Sequence, residues 1–85
     1  MPQFQVEVQV MPRPTLLDPQ GQAVQHALQE LGFAAVSDVR MGKALSFALE
    51  GVDAADAERN VREMCQRLLS NPVTEDFTVS VTQVL

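Results

Sequence analysis

The residue types that could support catalysis are few in this chain and form no catalytic set. The 85 residues include one cysteine and one histidine. Cys65 falls on the apolar stripe of a predicted helix, which is typical of a buried small hydrophobic side chain rather than of a nucleophile. His26 falls on the outer side of another predicted helix, where a histidine is more often exposed than a general base. The sequence therefore predicts no catalytic nucleophile with a general base beside it.

Two further patterns resemble parts of known sites. Glu75 and Asp76 adjoin a strand start and point to opposite sides, which disfavours a paired-carboxylate mechanism. Gly42 lies in a Met-Gly-Lys turn, whereas a phosphate-binding loop requires more glycines and a helix start directly after it. One histidine and one cysteine do not make a zinc cluster. We therefore expect no catalytic residue, metal or cofactor in this chain.

Two short segments are more specific than a generic fold requires. The segment LDPQG, residues 17–21, places Gly21 in the first turn of a predicted helix, where glycine lowers stability unless another group approaches closely. The segment DVRMGK, residues 38–43, holds two cations around a glycine. Helix capping and turn formation would explain both segments as well as a functional role would.

The elements that position these segments begin with residues 36–50, which alternate between large apolar side chains and small or polar ones. This alternation indicates strand with one face on a core. Lys43 falls on the apolar side, so we predict that residues 42–44 form a hairpin tip that carries Lys43 into solvent. A three-residue loop keeps every large side chain on one face. The resulting pairs are Met41 with Leu45 and Val39 with Phe47.

Two strands and two helices flank the predicted hairpin. The first strand covers residues 3–10, and the last alternates from Phe77 to Thr82. Asp18 and Pro19 begin a helix that covers residues 19–31. Asp53 begins a second helix that ends near residue 70, where Asn71 is expected to adopt the left-handed cap before Pro72.

The order of these elements predicts the fold class. Strand, helix, strand, strand, helix, strand, with right-handed crossovers, places both helices on one face of one sheet. The sequence therefore predicts a ferredoxin-like βαββαβ two-layer sandwich, with an antiparallel sheet of three to four strands, as a single domain over residues 1–85.

Composition and charge exclude several functions. The formal net charge is −5, and six scattered basic residues do not form the clustered face that nucleic-acid binding requires. No apolar run is long enough to span a membrane. One cysteine allows no internal disulfide, so we expect self-association to supply the stability that a disulfide would give. We also expect a cytoplasmic location.

The sheet face away from the helices has small side chains, which suits packing of two copies through their sheets. A solvated face that happens to be rich in small residues is the alternative, and sedimentation separates the two. The residues predicted on this face are Gly42, Ala44, Ser46, Ala48, Gln5 and Gln9.

Three segments together resemble one family. LDPQGQAVQHALQELGF (17–33), VSDVRMGK (36–43) and MCQRLLSNPVTEDF (64–77) are similar, in order and spacing, to the small PurS subunit of phosphoribosylformylglycinamidine (FGAM) synthase. The resemblance spans nearly the full chain. Thr74 departs from it, because the family usually has an aliphatic residue there.

The resemblance implies a non-catalytic subunit of a purine-biosynthetic amidotransferase. The family's complex converts formylglycinamide ribonucleotide, ATP and glutamine into formylglycinamidine ribonucleotide, ADP, phosphate and glutamate. A large synthetase subunit, PurL, uses ATP and Mg²⁺, and a glutaminase subunit, PurQ, releases ammonia. The small subunit, a homodimer or tetramer, bridges them and assists ammonia transfer.

Position and motif match also imply contacts with the larger subunits at the predicted hairpin tip and the start of the first helix. The implied contact residues are Asp18, Gln20, Gly21, Arg40, Gly42, Lys43 and Asn71. Two other classes stay open. A ferredoxin-like small-molecule-sensing dimer would bind a metabolite without partners, and a scaffold module would recruit an unrelated partner through edge strands.

Overall fold

The computed structural model describes residues 1–84 and contains one antiparallel sheet and two helices. In chain order the elements are β1 (Gln3–Pro12), α1 (Pro19–Glu30), β2 (Lys43–Glu50), α2 (Ala54–Met64) and β3 (Glu75–Val84), and Cys65–Leu69 continues α2 as a π-helical turn. The sheet order is β2-β1-β3. The ferredoxin-like fold class is confirmed, with three strands within the described residues.

The hydrophobic core lies on one face of β1, the central strand. Phe4, Val6, Val8 and Val10 are at most 1% exposed, and the residues between them are exposed. Val8 pairs with residues of both outer strands. The period-two alternation of β1 therefore places its apolar side chains in the hydrophobic core.

α2 packs on the side of the sheet formed by β1 and β3. Its start is fixed by Asp53, whose Oδ1 accepts a hydrogen bond from the backbone N–H of Asp56 at 2.8 Å. Val61 and Cys65 are fully buried, and the Arg62 guanidinium lies 5.9 Å from the centre of the Phe77 ring. The predicted cap at Asp53 is confirmed.

The end of the second helix differs from the prediction. Asn71 does not adopt the left-handed conformation, since Asp38 is the non-glycine residue with positive φ in the described chain. Instead, Ser70 is extended, and both its N–H and its hydroxyl donate to the carbonyl oxygen of Cys65 at 2.9 Å. The π-helical turn leaves this carbonyl available, and Ser70 satisfies it.

The predicted hairpin is wrong. Residues 36–42 form no strand in the described structure, and Lys43 begins β2 opposite Val10 of β1. Side chains of α1 bind the backbone that a hairpin would need. Gln29 Nε2 donates to the Val36 carbonyl at 2.9 Å, and Gln25 Oε1 accepts from the Val39 N–H at 3.2 Å. Such bonds compete with a strand ladder.

α1 packs on residues 36–41 and makes few contacts with the strands. Gly21 is buried and Gln25 and Gln29 are half-buried, four residues apart, against that segment. On the apolar stripe, by contrast, Leu31 is 74% exposed. The molecule is consequently elongated, with a radius of gyration of 16.5 Å, whereas a compact domain of this length has about 12 Å.

Candidate partner interface

Asp18 fixes the start of α1 and the segment that precedes β2. Its Oδ1 accepts from the Gly21 N–H at 3.0 Å, and its Oδ2 accepts from the Met41 N–H at 2.7 Å. Gln20 follows on the exposed side of the same helical turn. One carboxylate therefore connects two regions that are twenty residues apart in sequence.

The same contacts set the charge state of Asp18. The hydrogen bonds from the backbone N–H groups of Met41 and Gly21 lower the pKa of the Asp18 carboxyl, and the Arg40 guanidinium lowers it further against the opposing effect of desolvation. Arg40 Nε lies 3.7 Å from Asp18 Oδ2. Asp18 is therefore a structural anion at neutral pH.

Gly21 is required by a close approach of backbone. A Cβ atom at this position would collide with the carbonyl oxygen of Val39, and it would also come within 2.7 Å of Asp18 Oδ2. Glycine in the first turn of α1 is thus explained by the segment that crosses it. The sequence left open whether another group approaches Gly21 closely, and the structure shows that the Val39 carbonyl does.

Arg40 turns inward and binds backbone. Its Nη2 donates to the carbonyl oxygens of Pro12 at 2.6 Å and of Arg13 at 2.8 Å. Its Nε is buried without a hydrogen-bond partner in the described structure, because the nearest carboxylate oxygen, of Asp18, is beyond bonding distance. Arg40 therefore connects the end of β1 to the segment before β2, and most of its charge is withdrawn from solvent.

Gly42 and Lys43 complete the junction with β2. A Cβ atom at Gly42 would collide with the Met11 side chain and approach the carbonyl oxygen of Val10. Gly42 is therefore needed where the chain passes close to the end of β1. Lys43 is exposed, and it is the basic side chain that this junction presents to solvent.

Asn71 organises the turn before β3. Its carbonyl accepts from the N–H groups of Thr74 at 3.1 Å and Glu75 at 2.8 Å, and its Oδ1 accepts from the Val73 N–H at 3.0 Å. The Asn71 side chain is exposed. Because Glu75 pairs with Pro12, this turn lies at the same end of the sheet as the start of β2.

Arg13 also holds this end of the sheet together, although the sequence did not point to it. Its Nη2 donates to the Pro72 carbonyl at 2.6 Å, its Nε lies 3.4 Å from Asp76 Oδ1, and its own carbonyl accepts from Arg40. Arg13 thus connects the Asn71 turn to the Asp18 and Arg40 group. The sequence carries no local signal of this role, because the hydrogen-bond partner Pro72 lies 59 positions away in the chain.

The seven predicted contact residues therefore lie at one end of the molecule, in two groups that Arg13 connects. We call this end the strand-end surface. Gln20, Gly42, Lys43 and Asn71 are its exposed members, and the close contacts of Asp18, Gly21, Arg40 and Gly42 hold its shape. The arrangement presents hydrogen-bonding groups, the Lys43 ammonium and the partly exposed Arg13 guanidinium on one frame, which suits recognition of a protein surface.

The described residues were also compared with the requirements of a metal site, a reactive thiol and a membrane-spanning helix. Among residues 1–84 there is no group of three His, Cys, Asp or Glu side chains that could hold a metal ion. Burial raises the pKa of the Cys65 thiol, so this side chain is an inert part of the core. No helix within that range has the length and apolar character needed to cross a bilayer.

Comparisons with known proteins agree with the resemblance noted in the sequence. Residues 5–83 match the family model described as PurS: Phosphoribosylformylglycinamidine (FGAM) synthase. The chain is 43% identical over 82 residues to the PurS subunit of phosphoribosylformylglycinamidine synthase from Bacillus subtilis, a match that covers 96% of each chain. It is 42% identical over 79 residues to the PurS subunit from Synechocystis, covering 93% of this chain and 79% of that one.

Solved structures show the same relationship. PurS from Bacillus subtilis superposes with a TM-score of 0.83 at 43% identity, covering 93% of this chain and 98% of that one. A chain in the structure of PurLQS from Thermotoga maritima gives a TM-score of 0.89 at 30% identity, covering 96% of this chain and all of that one. The chain belongs to the PurS family of phosphoribosylformylglycinamidine synthase subunits.

Proposed function

We propose that this chain is the small, non-catalytic subunit of FGAM synthase in purine biosynthesis. In this role it bridges the glutaminase PurQ and the ATP-dependent synthetase PurL and assists the passage of ammonia between them. The observation that carries the proposal is the full-length match to a chain of the PurLQS structure from Thermotoga maritima. The lack of a nucleophile and base set among the described residues fits a role in assembly.

The strand-end surface is the part of the chain that we assign to the larger subunits. It is rigid, since Asp18, Arg40 and Arg13 together bind backbone groups from the end of β1 to the turn before β3. It also exposes Lys43 on a chain whose net charge is −5. A rigid surface binds with a smaller entropic cost than a mobile one.

Self-association, as a homodimer or tetramer, is part of the proposal. The sheet face opposite α2 is open and shallow, and it is lined by small and polar side chains of all three strands around Glu7. A second copy of the chain would fit this face because the outer strands present short side chains there, on either side of Gln5, Glu7 and Gln9 of β1. The exposed small residues of β2 on this face are Ala44, Ser46 and Ala48.

Cofactors and location follow from the same role. We assign ATP and Mg²⁺ to the synthetase subunit and no cofactor to this chain. We assign the complex to the cytoplasm, where nucleotide synthesis draws on ATP and glutamine.

Assembly tests this function directly. The purified chain, mixed with PurL and PurQ in the presence of glutamine and ADP, should co-elute with both in size-exclusion chromatography. Separate elution under all nucleotide conditions would contradict the proposal. Saturable binding of a metabolite by the isolated chain would then favour the sensing dimer.

A further inference from the structure

The loop between β1 and α1, residues 13–17, carries two leucines that the chain itself covers poorly. Leu17 is 74% exposed and Leu16 is 41% exposed. A residue directly before a helix cap often packs against an apolar residue in the first helical turns. The position that would receive Leu17 is Gln22, which is polar and itself exposed. The start of α1 therefore offers Leu17 no apolar partner.

Both ends of this loop are fixed. The Arg13 N–H donates to the Thr74 carbonyl at 3.0 Å, and the Arg13 carbonyl accepts from the Leu16 N–H at 3.0 Å and from Arg40 Nη2 at 2.8 Å. Pro14 lies at the second position of the resulting turn, where its ring already has the required φ. At its other end the loop runs directly into the capped start of α1. The two leucines are therefore presented by a preorganised loop.

An open cavity of about 510 Å³ lies between this loop and residues 38–40. Leu16 and Leu17 line the cavity together with polar side chains of α1 and the exposed Asp38. Apolar side chains at the centre and polar groups at the border are the usual composition of a surface that binds another protein. The loop and the cavity therefore have the character of a protein interface.

The position of the loop separates it from the surface that the proposed function gives to self-association. That surface is the open sheet face around Glu7, whereas the loop follows the last residue pair of the sheet, Pro12 with Glu75. The loop instead adjoins the strand-end surface, because Arg13, its first residue, connects the two groups of that surface. Its occupant is therefore expected to be a different protein.

Charge at this end also suits a different protein. The chain has a net charge of −5, yet Arg13, Arg40 and Lys43 make up three of its six basic residues. Arg40 turns inward, whereas Lys43 is exposed and the Arg13 side chain, which pairs with Asp76, is 44% exposed. A partner that surrounds the leucines would meet the Lys43 ammonium, which suits a carboxylate at the border of the partner's site.

We propose that Leu16 and Leu17 are the apolar anchor by which this chain binds a larger subunit of the amidotransferase, in an apolar pocket of that subunit. The inference rests on the proposed function and deepens it, since the contact residues of the strand-end surface are polar, charged or glycine. Burying an exposed leucine contributes more to affinity than a solvent-exposed ion pair does. The leucines therefore supply affinity, and Lys43 steers the association.

The test replaces the more exposed anchor residue. Leu17→Ser should weaken binding to at least one of PurL and PurQ, each immobilised separately, by about tenfold or more, because burial of a leucine side chain carries affinity of this order. Leu17→Met keeps an apolar side chain of similar volume and should retain most of the affinity. Val52→Ser is the matched control, at a 69% exposed valine beyond the opposite end of the sheet, where Glu50 pairs with Gln3, and it should bind as wild type.

Further readouts separate a contact from a structural role. Because Leu17 is exposed, Leu17→Ser should leave the thermal midpoint and the sedimentation of the isolated chain unchanged. At saturating amounts of this variant the glutamine-dependent rate of amidation should reach the wild-type value. The concentration of chain that gives half of that rate should rise in proportion to the loss of affinity.

Three results would overturn the anchor. The first is wild-type affinity of Leu17→Ser for both larger subunits, and the second is a lowered thermal midpoint, which would give Leu17 a role in the fold. The third is a changed size of the isolated variant, which would assign the leucine to contacts between copies of the chain. Failure of the wild-type chain to bind either PurL or PurQ would overturn the proposed function, and the anchor with it.

Discussion

The carboxylate of Asp18 accepts a hydrogen bond from the backbone N–H of Met41 at 2.7 Å. The same side chain caps α1 through Gly21. One residue therefore holds the helix start and the approach to β2 in a fixed relation. The strand-end surface depends on this relation, because Lys43 follows Met41 by two residues.

Replacing Asp18 should destabilise the chain. Asp18→Ala removes a helix cap, a loss of about 1 kcal/mol, and leaves the Met41 N–H without its acceptor. We expect the free energy of unfolding in urea to fall by about 1–2 kcal/mol. Asp18→Asn keeps an oxygen acceptor and should lose less. Equal stability of wild type and Asp18→Ala would show that the cap contributes nothing.

The Asp18 carboxylate should also contribute to acid sensitivity. Its pKa in the folded chain is below the ordinary value of 3.8, chiefly because the Met41 and Gly21 N–H groups bind the anion. Between the lowered and the ordinary pKa the unfolded chain binds more protons than the folded chain. The contribution of the Asp18 carboxylate to the free energy of unfolding is therefore complete above the ordinary pKa and is lost as the pH falls through the lowered pKa. Urea unfolding of wild type and Asp18→Asn from pH 6 to pH 2 tests this. Their stability difference should shrink toward the acid end, and a difference that stays constant would contradict it.

Gly21→Ala should be destabilising even though alanine favours helices. The added Cβ would collide with the Val39 carbonyl, and such overpacking costs about 1–3 kcal/mol, which exceeds the gain of about 1 kcal/mol from propensity. Thermal unfolding should show a lower midpoint. Gln22→Ala, on the exposed side of α1, is the matched control and should not lower it. A stabilised Gly21→Ala chain would contradict the close approach seen here.

Charge reversal should separate contact from structure at the strand-end surface. Lys43→Glu replaces an exposed cation by an anion, so we expect several-fold weaker binding to the larger subunits, a smaller loss of affinity with added salt than in the wild type, and unchanged stability. Arg59→Glu, on the outer side of α2 at 72% side-chain exposure, should bind as wild type. Binding is measured by calorimetry or interferometry. Identical affinity of Lys43→Glu and wild type would remove Lys43 from the interface.

The sequence predicts best where the determinants are local. The alternation of β1 and the cap at Asp53 each depend on neighbouring residues, and both appear in the structure as predicted. The predicted hairpin is absent from the described structure because Gln25 and Gln29 bind the backbone of the segment that would form its first strand. Those glutamines look like ordinary surface residues in a helical pattern, so a contact of this kind leaves no periodic signal.

The candidate site was predicted in part for the same reason. Asp18 and Gly21 have local signatures in a helix start, and the structure shows both the expected cap and a close contact with Val39 that the sequence left open. Arg40 was expected at an exposed tip, but its guanidinium binds the carbonyl oxygens of Pro12 and Arg13. Pro12 and Arg13 lie 28 and 27 positions before Arg40 in the chain. Sequence spacing alone does not indicate contacts at such a separation.

The most direct test of the central claim is the rate of FGAM formation by the PurL and PurQ subunits, with and without this chain. Glutamine and ammonia are compared as nitrogen sources. If the chain couples the two subunits, it should restore the glutamine-dependent rate and leave the ammonia-dependent rate nearly unchanged, because only the former requires transfer between active sites. If neither rate responds to saturating amounts of the chain, the assignment as a coupling subunit is contradicted.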